Sequence, residues 1–172
     1  MAENPMRNVK VNKLVINIGT GSDEQMQKNA KRLIELITGR KPTDEISRKR
    51  NPAFKVIKGQ KIGAYVTLRG EDTKELAKKL FDAVGNRIND RAITDNGLSF
   101  GIHEYIDISG VKYDPKVGML GMNVNLSFMR NGVRVGLRKR KASHVPAKHR
   151  VVTRDEIKDY IKKEFNVSVV SQ

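Results

Sequence analysis

The residues that could do covalent or metal chemistry in this chain are three histidines, a glycine-rich stretch and a group of acids. The stretch GTGSDE begins at Gly19 and follows an apolar run, as a dinucleotide-binding loop does, but the third glycine of G-x-G-x-x-G would fall on Glu24. The stretch therefore predicts a turn and the start of a helix. The phosphate-binding pattern G-x-x-x-x-G-K-[ST] does not occur in the chain.

The histidines and acids do not form a recognisable metal or catalytic motif. His103-Glu104 lacks the second histidine of a zinc-protease helix, and His144 and His149 stand in a basic stretch without a third ligand. Phosphate contact or solvation suits these two histidines better than a metal ion. The helix dipole stabilises acids at a helix start, which accounts for Asp155, Glu156 and Asp159. We expect no enzyme, no metal site and no cofactor.

Charge is the strongest signal in the composition. Lys and Arg number 34 against 19 for Asp and Glu, which gives a net charge of +15. A polyanion would neutralise this excess, and the candidates are nucleic acid, an anionic membrane surface or an acidic protein. A pI near 10.1 favours nucleic acid. The length suits one domain, 1–172, no apolar run could span a membrane, and the absence of cysteine suits a reducing cytosol.

Alternating apolar and polar residues predict five strands, and the Asn131-Gly132 pair predicts a hairpin into a sixth that carries Val133, Val135 and Leu137. The five are Val11–Gly19, Thr43–Arg48, Lys61–Gly70, Leu98–His103 and Asn123–Arg130. Three helices with single apolar stripes are predicted to begin at capping boxes, and the last spans about 153–166. The boxes pair Ser22 with Gln25, Asp72 with Glu75 and Thr153 with Glu156.

These elements predict an α+β fold in which a mostly antiparallel sheet has helices on one face and leaves the other face open for RNA. The open face suits phosphates, sugars and base edges because its side chains carry amide, hydroxyl and guanidinium groups. Its predicted members are Lys13, Asn17, Tyr65, Thr67, Arg69, Arg134 and Arg138.

Two basic segments adjoin the predicted elements. RKRNPAFKVIKGQK, at 48–61, forms a long loop between two strands, and LRKRKASHVPAKHR occupies 137–150. Long loops in compact domains are usually functional or disordered, so we expect these segments to bind a partner, although a solvated surface or a nuclear-localisation signal shares this composition. Phe54 would lie against a ribose or base, or alternatively tuck into the core.

Several stretches resemble one family, the large-subunit ribosomal protein number five: VNKLVINIGTG, LITGRKP, RKRNPAFKVIKGQKIGAYVTLRG and GVRVGLRKRKASHVPAKHRV. The KASHVPAKHRV stretch resembles the archaeal and eukaryotic branch, and we expect the archaeal one. The resemblance implies a cytoplasmic, structural protein of the large subunit that binds 5S rRNA in the central protuberance. The implied 5S contacts are Asn17, Arg40, Lys41, Thr67 and Arg69, to which the open face adds Lys13 and Arg138.

The resemblance further implies two contacts at the subunit interface, beside large-subunit rRNA and other central-protuberance proteins. The basic loop would contact P-site tRNA through Arg50, Asn51, Phe54, Lys55 and Lys58. The stretch DISGVKYDPKVGML would reach small-subunit ribosomal protein thirteen in an intersubunit bridge through Asp107, Tyr113, Asp114 and Lys116. The alternative is an extra-ribosomal RNA-binding regulator of the RNA-recognition-motif type, although KIGAYVTL fills only one aromatic slot of that motif, with Tyr65.

Overall fold

The chain forms eight strands and five helices within residues 4–170, the part that the computed structural model describes. The strands are β1 Val9–Gly19, β2 Thr43–Ile46, β3 Lys61–Leu68, β4 Arg87–Asn89, β5 Ile93–Thr94, β6 Gly97–Ile102, β7 Met122–Arg130 and β8 Ser168–Val170. The helices are α1 Glu24–Thr38, α2 Asp72–Ala83, α3 Arg134–Leu137, α4 Ala147–Arg150 and α5 Arg154–Phe165. Single 3₁₀ turns cover Pro5–Arg7, Pro52–Phe54, Asp90–Ala92 and Tyr105–Asp107.

Six strands form one sheet in the order β2-β3-β1-β7-β6-β5, and every neighbouring pair in it is antiparallel. β4 and β8 form a separate parallel pair. The predicted α+β class is therefore confirmed. At Gly63 the strands β1 and β3 approach so closely that a Cβ atom would lie 2.6 Å from the carbonyl oxygen of Ile18, so this position needs glycine.

One face of the large sheet carries the core. Leu14, Ile16 and Ile18 are no more than 1% exposed, because every second side chain of β1 points to the same side. Three helices bury their apolar stripes in the same core, through Ala30, Leu33, Ile34, Ala77, Leu80, Phe81, Ile157, Ile161 and Phe165. Because α1, α2 and α5 all pack on this side, the other face of the sheet is left open within residues 4–170.

Helix α1 begins one residue later than its predicted capping box. Asp23 is the N-cap, and its Oδ1 accepts hydrogen bonds from the backbone N–H groups of Gln25 at 2.8 Å and Met26 at 3.3 Å. The box of Ser22 with Gln25 is therefore wrong, because the neighbouring aspartate offers the same acceptor chemistry. The helix ends as predicted at Gly39, whose φ of 64° is the left-handed conformation that glycine adopts easily.

The other two predicted boxes have opposite outcomes. At α2 the box of Asp72 with Glu75 is wrong, because Glu71 is the N-cap and makes no capping hydrogen bond through its side chain. At α5 the box of Thr153 with Glu156 is confirmed, with both of its reciprocal hydrogen bonds present.

Glu156 also ties α5 to the sheet. Both of its carboxylate oxygens accept hydrogen bonds from Nη2 of Arg130, at 2.6 and 2.7 Å, and the Arg130 side chain is only 10% exposed. Burial by itself would raise the pKa of Glu156. The hydrogen bonds from Arg130 and from the backbone N–H of Thr153 outweigh burial and hold this pKa below its usual value.

The predicted hairpin after β7 is wrong. The chain turns at Asn131-Gly132 and enters α3 instead of a sixth long strand. β7 already pairs with β1 on one edge and β6 on the other, so it has no free edge for a returning strand. The turn also differs from type I′, since only Gly132 of the pair has a positive φ. Leu137, predicted to lie on the apolar face, is 76% exposed.

Candidate nucleic-acid interface

The open face of the sheet is built from polar rows that cross three or four strands. Asn17 lies between Tyr65 of β3 and Asn123 of β7. In the next row Val15 lies between Thr67 and Asn125. The strand register thus brings amide and hydroxyl groups from strands far apart in sequence onto one surface.

Four polar residues that β6 and β7 contribute to this face were not among the predicted site residues. They are Ser99 of β6 and Asn123, Asn125 and Ser127 of β7. The alternation of β7 placed its three polar residues on one side, but only the register with β1 shows that they continue the row of Asn17 and Lys13. Of the aromatic residues in the described chain, only Tyr65 lies in these rows.

A groove of about 700 Å³ opens on this face beside β2. Its floor is formed by Asn17, Tyr65 and Asn125, and one wall by residues 44–48. The Oδ1 atom of Asn17 is buried and has no hydrogen-bond donor within residues 4–170. A buried acceptor without a partner is uncommon in folded proteins, so this amide is suited to take a donor such as a ribose 2′-hydroxyl or a base amine.

The face itself carries little charge. Lys13 lies in the row of Ser127, and Arg69 follows the last residue of β3. Two arginines predicted on this face lie elsewhere, because no strand forms after β7: Arg134 begins α3, and Arg138 follows that helix. The Nε of Arg138 donates to the backbone oxygen of Lys141 at 2.8 Å. The face is therefore nearly neutral and suits sugars and base edges more than phosphates.

Arg40 and Lys41 lie just before β2, the strand at one edge of the sheet. The guanidinium of Arg40 is 3.1 Å from the carboxylate of Asp72, and both side chains are at least half exposed. Exposed ion pairs contribute only about 0–1 kcal/mol, so a phosphate can compete for this arginine. Lys41 is exposed.

The basic loop, residues 48–61, extends the β2–β3 hairpin. Asn51 and Val56 exchange backbone hydrogen bonds of 2.9 and 3.1 Å around the 3₁₀ turn Pro52–Phe54. The Phe54 side chain at this tip is 74% exposed, so the alternative that it tucks into the core is wrong. The predicted contact residues Arg50, Asn51, Lys55 and Lys58 are all exposed on the same hairpin.

A carboxylate fixes the base of this loop. Asp44 of β2 forms ion pairs with Lys31 of α1 and, at 3.0 Å, with Lys61 of β3, and it accepts a hydrogen bond from Nε2 of Gln27 at 3.3 Å. The hydrogen bonds from Lys31 and Lys61 lower the pKa of Asp44. The loop is therefore anchored where it leaves the sheet, while its cations remain exposed.

The predicted bridge residues divide into two groups. Asp114 is engaged within the fold, because its Oδ2 lies 2.9 Å from the guanidinium of Arg32 and its backbone N–H donates to the buried Tyr105 hydroxyl at 3.1 Å. Asp107, Tyr113 and Lys116 are exposed. The same segment exposes two apolar side chains that the sequence did not single out, Ile106 at 41% and Met119 at 54%.

Strand directions place these segments at two ends of the sheet. β1 is antiparallel to both β3 and β7, so the basic loop before β3 and the 103–121 segment before β7 share one end. The second basic segment, 137–150, follows β7 and lies at the opposite end. β3 has 8 residues, so about 25 Å of strand separates the two ends.

Residues 4–170 contain no cluster of three or more His, Cys, Asp or Glu side chains that could hold a metal ion. In the same part of the chain no helix is long and apolar enough to cross a membrane.

Two family profiles match the sequence. The profile described as "Ribosomal protein L5" matches residues 4–56, and that described as "ribosomal L5P family C-terminus" matches residues 61–134. The large ribosomal subunit protein uL5 of Sulfurisphaera tokodaii is 40% identical over 168 residues, which cover 97% of this chain and 95% of the relative. The chain belongs to the ribosomal L5 family. The uL5 proteins of Nitrosopumilus maritimus and Aeropyrum pernix are 40% and 41% identical over 168 residues, with 97% and 96% of this chain and 96% and 87% of the relatives covered.

The two ranges matched by the L5 family profiles contain the elements that form the candidate interface. The first range contains β1, α1, β2 and the tip of the basic loop, and the second runs from β3 to the first residue of α3. All rows of the open face lie within these two ranges. The second basic segment and α5 lie outside both of them. These relatives are archaeal, which agrees with the archaeal-type branch expected in the sequence analysis.

Proposed function

We propose that this chain binds 5S rRNA in the central protuberance of the large subunit through the open face of its sheet. The proposal extends to two further contacts. The basic loop touches P-site tRNA, and the exposed part of the 103–121 segment joins an intersubunit bridge to small-subunit ribosomal protein thirteen. Large-subunit rRNA and other central-protuberance proteins complete the proposed partners.

Membership of the L5 family establishes the general ribosomal role. The chain is a structural protein of the large ribosomal subunit in the cytoplasm, a ribonucleoprotein component that binds rRNA and serves translation. Its family is one of structural components and not of enzymes.

The uncovered polar face is the observation that supports the 5S proposal. Helices cover one side of the sheet, while Asn17, Thr67 and Asn125 line the other with amide and hydroxyl groups. RNA helices display 2′-hydroxyls and base edges in a wide, shallow minor groove, which such groups can recognise by hydrogen bonding. Arg69, Arg40 and Lys41 at the margins would meet the flanking phosphates.

The two interface contacts are supported by their common location. The basic loop and the 103–121 segment leave the same end of the sheet, so a ribosome that holds 5S rRNA on the open face would present both segments in one direction. Exposed cations and Phe54 at the loop tip suit the sugar-phosphate backbone and a ribose or base. Tyr113, with the exposed Ile106 and Met119, offers an apolar surface of the kind that proteins bury on contact.

Sedimentation distinguishes this proposal from an extra-ribosomal regulator of the RNA-recognition-motif type. That type stacks bases on several sheet aromatics, whereas Tyr65 is alone among the described rows of the open face. In a sucrose gradient of lysate from cells that express the tagged chain, we expect nearly all of it with large subunits and 70S ribosomes. A pool that stays mainly at the top of the gradient would contradict the ribosomal assignment.

A further inference from the structure

A second groove lies at the other end of the sheet, where β3 and β7 end. It has a volume of about 570 Å³ and is lined by three arginines from separate parts of the chain, Arg69, Arg134 and Arg150. No hydrogen bond or ion pair within residues 4–170 occupies these guanidinium groups. The lining contains no acid and no lysine, so its charge is unopposed and is carried by guanidinium alone.

Apolar side chains occupy the same groove. Leu137 and Met129 line it, and Leu137 is 76% exposed. Among large hydrophobic residues of the described chain, Leu137 and Phe54 are the two most exposed. Each belongs to one of the two basic segments, and these lie at opposite ends of the sheet. An exposed apolar side chain among unpaired cations does not stabilise the fold. It suits a ligand that has both an apolar surface and negative charge.

A hydrogen-bond donor completes the lining. The backbone of Asn96 is held on both sides, since its N–H donates to the Val152 oxygen at 3.1 Å and its oxygen accepts from the Phe128 N–H at 2.8 Å. Its Oδ1 accepts from the Val152 N–H at 2.8 Å, which fixes the side chain. The side-chain amide nitrogen of Asn96 has no hydrogen-bond partner within residues 4–170, so a fixed hydrogen-bond donor is available at the groove.

We propose that this groove is a second RNA subsite that holds one unpaired nucleotide. The base lies against Leu137 and Met129, and its flanking phosphates contact Arg69, Arg134 and Arg150. The inference rests on the proposed RNA-binding function and adds a subsite to it. A paired base has its apolar faces covered by its neighbours in the stack, so only a base outside the stack can bury a face against leucine.

Two features favour RNA over an acidic peptide. Guanidinium groups bind phosphate through two parallel hydrogen bonds and stack on planar bases, and arginine is the cation that lines this groove. The groove also continues from the proposed 5S surface, because Arg69 lines the groove and directly follows the strand that carries Thr67. Its volume lies within the roughly 300–1,000 Å³ of small-ligand sites, which is enough for one nucleotide.

The test compares RNA hairpins of identical stem, one fully paired and four with a single bulged A, C, G or U. Binding is measured for the unmodified chain, for the variant Arg134→Gln with Leu137→Ser, and for the control Leu36→Ser with Arg87→Gln, which changes an exposed leucine and an exposed arginine away from the groove. We expect at least one bulged hairpin to bind about tenfold more tightly than the paired one, as stacking of one base allows. The groove variant should lose this preference, and the control should keep it.

Purified archaeal 5S rRNA is titrated in parallel to separate the two hypotheses. Equal binding of bulged and paired hairpins by a chain that binds 5S rRNA would overturn the groove assignment alone. A chain that does not bind 5S rRNA would overturn the proposed function and this subsite with it. If an alternating glutamate–leucine peptide binds more tightly than every hairpin, and the groove variant loses that binding, the occupant is a protein and the RNA proposal is wrong.

Discussion

The two faces of the six-stranded sheet are made by the same strands and differ in chemical character. On the covered face Leu14, Ile16 and Ile18 are buried under three helices. On the open face the intervening residues of β1 are Lys13, Val15 and Asn17, which remain partly exposed. Because strand alternation sends neighbouring side chains to opposite faces, we expect a substitution on the open face to leave the packing of the core unchanged.

The comparison also shows where the positive charge lies. The open face is nearly neutral, while the two basic segments stand at its opposite ends. We therefore assign hydrogen-bonded recognition of 5S rRNA to the face, attraction of its phosphates to the cations at the margins and in the 137–150 segment, and tRNA contact to the basic loop.

The largest effect should be that of salt on 5S rRNA affinity. With about six phosphate contacts, affinity should fall on the order of 10³-fold between 50 and 200 mM salt, by the slope known for duplex DNA. Asn17→Ala should weaken binding at every salt concentration and leave the slope unchanged, because an amide releases no counterions. Filter-binding titrations measure both quantities. A flat salt response would show that cations do not drive 5S binding, and a slope altered by Asn17→Ala would show that this amide does not act by hydrogen bonding alone.

The next effect concerns the covered face alone. Leu33→Ala removes a fully buried side chain of α1 and should lower the free energy of unfolding by roughly 2–5 kcal/mol. Leu36→Ala is the matched control, since Leu36 lies on the same helix and is 56% exposed, and it should change stability by no more than about 0.5 kcal/mol. Urea denaturation measures both variants. Similar losses for the two would mean that α1 does not pack as described.

The sequence predicts those features of the two faces that depend on neighbouring residues, and it does not predict those that depend on strand pairing. Alternation along a strand is local, so the faces of β1, β3 and β7 are predicted correctly. Strand pairing is not local. The Asn131-Gly132 turn is a good hairpin signal, but the sequence does not show that β1 and β6 already occupy both edges of β7. The parallel pair of β4 and β8 has only three residues in each strand and was missed for the same reason.

The candidate site shows the same limit. Strand alternation placed Asn17 and Thr67 on the open face, where they lie, and the family resemblance added their 5S contact as a prediction. Asn123 and Asn125 are polar residues of a recognised strand, yet only the register with β1 places them in the same rows. Arg134 and Arg138 were misplaced because their strand does not exist.

A smaller effect, present at neutral pH and lost in acid, is expected at the ion pair that ties α5 to the covered face. The folded-state pKa of Glu156 is lowered from 4.5, so the charged carboxylate stabilises the fold above about pH 4.5 and loses this effect as pH falls through the lowered value. Glu156→Gln should lower stability by about 1 kcal/mol at neutral pH, a modest value because the carboxylate is partly exposed to solvent. The difference from the unmodified chain should shrink as pH falls through the lowered pKa of Glu156, as measured by thermal unfolding from neutral pH into acid. A difference that stays constant over that range would contradict the role of this charge.

The smallest effect concerns the basic loop, which lies at one end of the sheet and belongs to neither face. The triple variant Arg50→Ala, Lys55→Ala and Lys58→Ala should fold normally, because its exposed charges contribute little to stability. It should keep its 5S affinity within about twofold, because the proposed 5S contacts lie on the open face and its margins and not in this loop. In reconstituted ribosomes P-site tRNA should dissociate about fivefold faster, which corresponds to about 1 kcal/mol. Lys78→Ala, Lys79→Ala and Lys162→Ala remove three exposed lysines from α2 and α5 as the control. Unchanged tRNA dissociation in ribosomes that contain the loop variant would remove the tRNA role.

Binding of 5S rRNA by the open face can be tested by one paired affinity measurement. Thr67→Ala with Arg69→Ala changes the open face, while Lys78→Ala with Lys79→Ala removes two exposed lysines from α2 on the covered side. Both should melt at the temperature of the unmodified chain. We expect the open-face pair to lose at least about tenfold in affinity for purified 5S rRNA, from two lost contacts, and the helix pair to lose less than about twofold although it removes more charge. Equal losses for the two variants, or unfolding of the open-face variant, would contradict the account.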